Sequence, residues 1–279
     1  MARRVRRFGQ HFLEPAWVRK VVDVIGPAPQ DIFIEIGPGG GALTSPLAEQ
    51  AAAVAAIEID RDLAAALRRR APGNLTVVQA NVLDADLSEL AREQMARSPS
   101  AGSRIRIAGN LPYNISSPIL FRLIDLYRSG AGVTDATLML QLEVAERLAA
   151  VPGSRDYGVL SILASVYADI EQVLTLPPGA FRPPPKVWSA VVRMRFRSPT
   201  VEIGDQPLFE QLVKSIFTQR RKTLSNALKP FASPRGLEAA AVIAAADLDG
   251  RRRPETLNLS ELARLAAVFA QMPGPARRA

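Results

Sequence analysis

A chain of 279 residues with 48% hydrophobic side chains is long enough for one large domain and a small one, and it can bury a substantial core. It has no cysteine and a single histidine, His11, which excludes disulfides, thiolate–zinc sites and cysteine nucleophiles and leaves little material for a Ser-His-Asp triad or a multi-histidine metal site. The net charge of +8 favours a polyanionic partner, nucleic acid first.

The start, Met1-Ala2-Arg3-Arg4-Val5-Arg6-Arg7, is basic and lacks the apolar stretch of a signal peptide. No apolar run approaches the ~20 residues of a membrane span, so a soluble, cytoplasmic protein without a membrane partner is expected. Arg3, Arg4, Arg6 and Arg7 read as a phosphate-binding arm over residues 1–14; the alternative is a disordered tail. Pro15 suits the first turn of a helix with apolar positions at Val18, Val21, Val22 and Ile25.

Asp31 to Ile36 is a short apolar strand running into Gly37-Pro38-Gly39-Gly40-Gly41-Ala42, with a helix to about Gln50. A glycine-rich loop between strand and helix lets a ligand approach the backbone and presents amides at the helix start. Val54 to Ile59 is a second strand carrying Glu58, about 20 residues after Gly37, where an acid accepts ribose hydroxyl hydrogens. A third strand, Leu75 to Gln79, precedes Asn81, whose side chain can accept from the adenine amino group of a cofactor lying across the sheet.

Arg104 to Ala108 is the fourth strand, and it ends in Gly109-Asn110-Leu111-Pro112-Tyr113 before a new helix near Ser117. Pro112 fixes its own φ and biases Leu111 away from the α region, so this turn projects side chains and carbonyls outward. The amino nitrogen of adenine is a poor nucleophile because its lone pair is delocalised into the ring. Two acceptors, the Asn110 side-chain oxygen and the Leu111 carbonyl, can hold its hydrogens and aim it at an electrophile while Tyr113 stacks on the base. An ordinary Asx turn is the alternative. Gly37, Glu58, Asn81 and Asn110 thus mark four successive strand ends, where open α/β sheets bind ligands.

Ala136 to Leu142 is a fifth strand, and Ile170 to Leu176 and Ser189 to Phe196 alternate as a further pair. Between these two lies the stiff stretch Pro177-Pro178-Gly179-Ala180-Phe181-Arg182-Pro183-Pro184-Pro185-Lys186-Val187. Phe181 is placed to close the second face of a base held against Tyr113. The alternative is a connector whose Phe caps the core. After a polar linker from Arg197 the chain reads all-helical. Residues 211–229 hold no acid, and Arg220, Arg221 and Lys222 make a basic cluster suited to gripping RNA, or else a solvated helix face.

Gly9-Gln10-His11-Phe12-Leu13, Glu35-Ile36-Gly37-Pro38-Gly39, Asn110-Leu111-Pro112-Tyr113-Asn114-Ile115-Ser116, the Phe181–Val187 stretch and Gln219-Arg220-Arg221-Lys222-Thr223 together resemble the ribosomal small-subunit RNA adenine dimethyltransferases of the kasugamycin-sensitivity type. The resemblance runs over nearly the whole chain. It implies an α/β class I methyltransferase fold over 15–200, Rossmann-like and doubly wound on a mostly parallel seven-stranded sheet, and a small all-helical RNA-binding domain over 201–279. It implies S-adenosylmethionine as cofactor and N6,N6-dimethyladenosine as product, at two adjacent adenosines near the 3′ end of 16S rRNA during 30S maturation. Carried over, His11 and Leu13 flank the cofactor, Gly37 in the Gly37–Gly39 loop touches its methionine end, and Glu58 takes the ribose. Asn81 faces its adenine. Asn110 lies near both methyl donor and target, with Leu111, Tyr113 and Phe181 holding the target base.

This chain has His11 where the family often has Asn, and Asn81 where it usually has Asp. Asn still accepts through its oxygen, so cofactor binding is expected to survive. The competing readings are a 23S rRNA adenine methyltransferase of the macrolide-resistance type, a 30S assembly factor with secondary catalysis, a nicotinamide oxidoreductase and a DNA adenine methyltransferase. The Pro-Pro-Pro-Lys-Val and Gln-Arg-Arg-Lys-Thr stretches speak against the first, and the Asn-Leu-Pro-Tyr turn against the third. A monomer without a metal is the default.

Overall fold

The computed structural model describes residues 11–98 and 102–272, so the arm arginines Arg3, Arg4, Arg6 and Arg7 lie outside the described residues. In chain order the elements are β1 (Phe12–Leu13), α1 (Pro15–Ile25), β2 (Asp31–Ile36), α2 (Thr44–Gln50), β3 (Ala53–Glu58), α3 (Arg61–Arg68), β4 (Leu75–Gln79), α4 (Leu87–Arg97), β5 (Arg104–Asn110) and α5 (Ser116–Arg128). There follow β6 (Val133–Gln141), α6 (Leu142–Leu148), α7 (Val159–Tyr167), β7 (Ala168–Leu176), β8 (Phe181–Arg182), β9 (Ser189–Phe196), α8 (Gln206–Phe217), α9 (Leu224–Ala232), α10 (Ala239–Ala245) and α11 (Leu259–Gln271).

Two compact units result: the chain up to Glu146 with Ala168–Arg197, and Arg147–Tyr167 with the chain from Ser198. The first is built on a seven-stranded sheet in the order β4-β3-β2-β5-β6-β9-β7. β4 to β6 run parallel, and β9 is antiparallel to both β6 and β7. β2 and β3 are buried along their whole length, which is why both faces of each read as mainly apolar: strands covered by helices on both faces have no solvent side. On one face, Val21, Val22 and Ile25 of α1 pack with Phe33, Leu47, Val54, Leu176 and Val191. Asp60 caps α3 by accepting from the Asp62 and Leu63 amides.

At the amino ends of the strands, Arg106 of β5 pairs with Asp31 at 2.7 Å and Asp135 at 2.8 Å. Burial opposes the Asp31 charge, but the Arg104 and Arg106 hydrogen bonds hold its carboxyl below the usual range. This network tethers β2, β5 and β6 at the edge opposite the candidate site. At the other edge Gly109 is forced by contact: a Cβ there would stand 2.5 Å from the Ile36 carbonyl oxygen. Gly109→Ala is expected to cost about 1–3 kcal/mol of stability, read as a lower melting temperature; an unchanged melt would contradict the close β2–β5 approach.

The helical unit differs from the sequence-based boundary at residue 200. Residues 147–167, expected within the methyltransferase domain, instead belong with the later helices. The reason is apolar burial: Leu160, Ile162, Leu163 and Val166 of α7 are buried, and α7 packs against α8 and α11. Tyr157 just before it is buried and donates to the Leu257 carbonyl at 3.0 Å. Phe231 and Phe269 meet edge to face at 5.0 Å in the same core.

Candidate active site

The carboxyl ends of β2, β3, β4 and β5 open on one cavity, and the sequence-selected residues at those ends, Gly37, Gly39, Glu58, Asn81 and Asn110, all line it. His11 and Leu13 line it from β1 and the residue before, as do Leu111 and Tyr113 from the turn after β5.

β5 carries Asn110 as its last residue, in register with Met139 of β6. The Leu111 amide donates to the Met139 carbonyl at 3.1 Å, which pins the turn one residue beyond the strand. The Leu111 side chain is buried, so what this residue offers the cavity is backbone. Asn110 Nδ2 donates to the His11 carbonyl at 2.9 Å. That bond fixes the amide and leaves Oδ1 as the acceptor on the cavity wall. Tyr113 is held at both its polar end and its ring. Its hydroxyl lies 2.8 Å from Ser189 Oγ, and its ring stacks against His11 at 5.7 Å between centroids and 21° between planes. Burial raises its hydroxyl pKa, opposed by Ser189, so it stays protonated at neutral pH. His11 is itself anchored, with Nδ1 2.7 Å from the Pro183 carbonyl oxygen.

The glycine loop is tied to β3. Gly39 donates to Glu58 Oε2 at 2.9 Å and Asp60 donates to Oε1 at 2.8 Å. Burial raises the Glu58 carboxyl pKa, with the Asp60 and Gly39 amides opposing. Each carboxylate oxygen keeps a second lone pair, enough for a ligand hydroxyl. Gly37 and Gly39 hold φ of +68° and +53°, left-handed values that favour glycine, and a Cβ on Gly39 would stand 3.2 Å from Phe12 Cε1.

Glu35, a cavity-lining carboxylate on β2, did not enter the sequence-based site set. Burial pushes its carboxyl up to about 7, the Thr44 hydroxyl opposing and the Glu58 charge adding. Its Oε2 is buried without a hydrogen-bond partner among the described residues. The sequence signal was the acid itself, flanked by Ile34 and Ile36 within a buried strand: an acceptor oxygen enclosed there carries a desolvation cost that a cationic ligand group would offset.

One expectation, for Phe181, is corrected, and one, for Asn81, is qualified. Phe181 has no exposed surface; it pairs with Leu13 in the two-stranded β1–β8 sheet and sits among Leu13, Leu176, Ala180 and Val191. As placed it presents no face to a base, and it caps the core instead. Asn81 Oδ1 accepts from the Leu83 amide at 3.1 Å while Nδ2 donates to Asp84 at 2.7 Å. The oxygen expected to meet a cofactor is thus shared with its own turn, with one lone pair left.

In the helical unit the loop after α8 holds Arg221 and Lys222 exposed. Arg220 is committed in part to structure, donating to the Arg155 carbonyl at 2.8 Å.

A family model described as ribosomal RNA adenine dimethylase matches residues 1–264. A ribosomal RNA small subunit methyltransferase A from Methylibium petroleiphilum is 46% identical over 270 residues, covering 96% of this chain and 97% of its own. One from Xanthomonas oryzae pv. oryzae is 44% identical over 267 residues, 94% of this chain and 95% of its own. A solved dimethyladenosine transferase from Plasmodium falciparum shares the fold at a TM-score of 0.75 and 24% identity, over 94% of this chain and 98% of that one. The 23S rRNA methyltransferase ErmE superposes at 0.63 with 26% identity, over 93% and 100%. With most of its length matched and the Asn110–Tyr113 turn built at the end of β5, the chain belongs to the ribosomal RNA adenine dimethylase family.

Proposed function

We infer that this chain is an S-adenosylmethionine-dependent rRNA adenine-N6 dimethyltransferase. Its substrate is two adjacent adenosines near the 3′ end of 16S rRNA in the immature 30S subunit, and it works in the cytoplasm as a monomer. The observation that carries this reading is the turn after β5. There an oriented amide oxygen, a backbone carbonyl and an anchored tyrosine ring stand together on the wall of a cavity that also holds an unpartnered carboxylate. The curated relatives at 44% and 46% identity carry small-subunit names, and this favours 16S over 23S rRNA.

The cavity suits the cofactor. Glu35 Oε2 is the acceptor for its ammonium, and the Gly37–Gly39 loop lines the same cavity. Glu58 faces the ribose hydroxyls, and Asn81 with the 46%-exposed Ile59 faces the purine. When bound, S-adenosylmethionine supplies an electrophilic methyl group on a sulfonium. The protein's own part is alignment. Asn110 Oδ1 and the Leu111 carbonyl accept the two N6 hydrogens, drawing the nitrogen lone pair out of conjugation. Tyr113 supplies a stacking face for the flipped base. No strong base is needed, since the proton leaves from a cationic product nitrogen to water. After one methyl is added, the remaining N–H still has an acceptor, so one of the two oxygens serves the second round.

Exposed Arg221 and Lys222 add phosphate contacts. Replacing both with alanine is expected to weaken 30S binding and to lower the slope of log affinity against log salt by about 2, in filter binding across a potassium chloride series. An unchanged slope would remove them from the interface. The product is the test of the chemistry. Nucleosides from unmethylated 30S subunits incubated with the chain and S-adenosylmethionine should contain N6,N6-dimethyladenosine; accumulation of monomethyladenosine alone would contradict the two-acceptor account.

A further inference from the structure

The loop from Phe181 to Ser189 contains two aromatic residues, and burial separates them. Phe181 is fully enclosed, whereas Trp188 is 51% exposed with Val187 beside it at 44%. Trp188 lies at the ligand edge of the sheet. Its carbonyl accepts from the Leu142 amide at 2.9 Å, and its neighbour Ser189 pairs with Gln141, the last residue of β6. β6 in turn pairs with β5, so Trp188 stands about two strand spacings, roughly 10 Å, from the strand that ends in Asn110. Ser189 is also the residue that anchors the Tyr113 hydroxyl. The support is stiff: Pro183, Pro184 and Pro185 precede it, with Pro185 buried. Residues 172–201 contain Arg182, Lys186, Arg193, Arg195 and Arg197 and no Asp or Glu; Arg182, Arg195 and Arg197 pair with Glu14, Glu171 and Asp169, and exposed Lys186 stands two residues before Trp188.

A large aromatic held rigidly in water costs little to immobilise, and every nucleobase has a face to stack on it. We propose that Trp188 is a stacking platform for an unpaired RNA base flanking the target adenosine, so that the strand is gripped on both sides of the flipped nucleotide. The role anticipated for Phe181 is thereby moved seven residues along the loop and from the target base to its neighbour. This inference rests on the proposed rRNA substrate.

The test uses the full chain with Trp17→Phe, which leaves Trp188 as the only tryptophan. The probes are a synthetic RNA hairpin with a loop of adenosines and the same hairpin with abasic loop sugars. Binding is followed by anisotropy of labelled RNA and stacking by tryptophan emission. Stacking predicts strong quenching by the adenosine loop and none by the abasic loop. It also predicts affinity for the adenosine loop about 5- to 100-fold weaker in Trp188→Ala, with Trp188→Phe recovering most of it and the salt slope unchanged. Bound RNA without quenching, or equal affinity in Trp188→Ala, would overturn the proposal. So would normal RNA binding by Trp188→Ala coupled to loss of 30S binding, which would assign the patch to a ribosomal protein. Methyl transfer by the Trp17→Phe chain to unmethylated 30S subunits is measured alongside. Its failure would strike the enzymatic reading, whereas failure of quenching with transfer intact would strike only Trp188.

Discussion

Asn110→Ala is expected to lower methyl transfer to 30S subunits by about 10²–10³-fold or more while leaving cofactor and 30S binding nearly intact. Its oxygen is one of the two acceptors that localise the N6 lone pair, and localisation is realised mainly as the nitrogen begins to bond. The substitution also frees the His11 carbonyl from its 2.9 Å donor. That loss is worth about 1 kcal/mol of stability, too little to unfold the site. Single-turnover transfer rates at saturating 30S, beside equilibrium binding of S-adenosylhomocysteine, separate the two effects. Turnover equal to that of the parent chain would remove Asn110 from the mechanism.

Glu35 governs the second large effect, and it is one of pH. Its carboxyl titrates at about 7 because burial disfavours the charge. Without ligand, a raised carboxylate pKa favours the folded state below the ordinary value near 4.5, and this contribution is lost as pH rises through about 7. The span of about 2.5 units corresponds to roughly 3 kcal/mol. Stability of the ligand-free chain should therefore decline between pH 5 and 8, and Glu35→Gln should flatten that decline. A ligand ammonium placed against Oε2 reverses the preference by favouring the ionised form. Binding of S-adenosylhomocysteine at pH 7 should then release about half a proton, falling towards zero by pH 8.5. Calorimetry in buffers of different ionisation enthalpy measures this directly. Glu35→Gln should bind about 10- to 100-fold more weakly and release no proton, having lost a charge-assisted bond. Proton uptake on binding, or equal release in Glu35→Gln, would contradict the placement.

The seven-stranded sheet was legible because its central strands are mainly apolar and each carboxyl end carries a polar or glycine signal. Asn110, Glu58 and Gly37 were legible for the same reason: each breaks an apolar pattern at a strand end. Phe181 was misread because a stiff, proline-rich loop reads as exposed throughout, and only pairing with Leu13 shows which of its aromatics turns inward. Glu35 escaped notice as a chemical group because it lies inside the strand rather than at its end. The segment 147–167 holds a turn-rich stretch, Pro152 to Gly158, but that does not say which side the following helix joins; its membership is decided by long-range packing of α7.

The central claim is that one cavity delivers methyl groups to adenine N6 in small-subunit RNA. The direct measurement is transfer of tritiated methyl from S-adenosylmethionine to 30S subunits lacking the modification, with 50S subunits and DNA in parallel and the product resolved as nucleosides. Label recovered as N6,N6-dimethyladenosine from 30S alone is the expected result. Label in 50S subunits, or none in 30S subunits that the chain binds tightly, would contradict it.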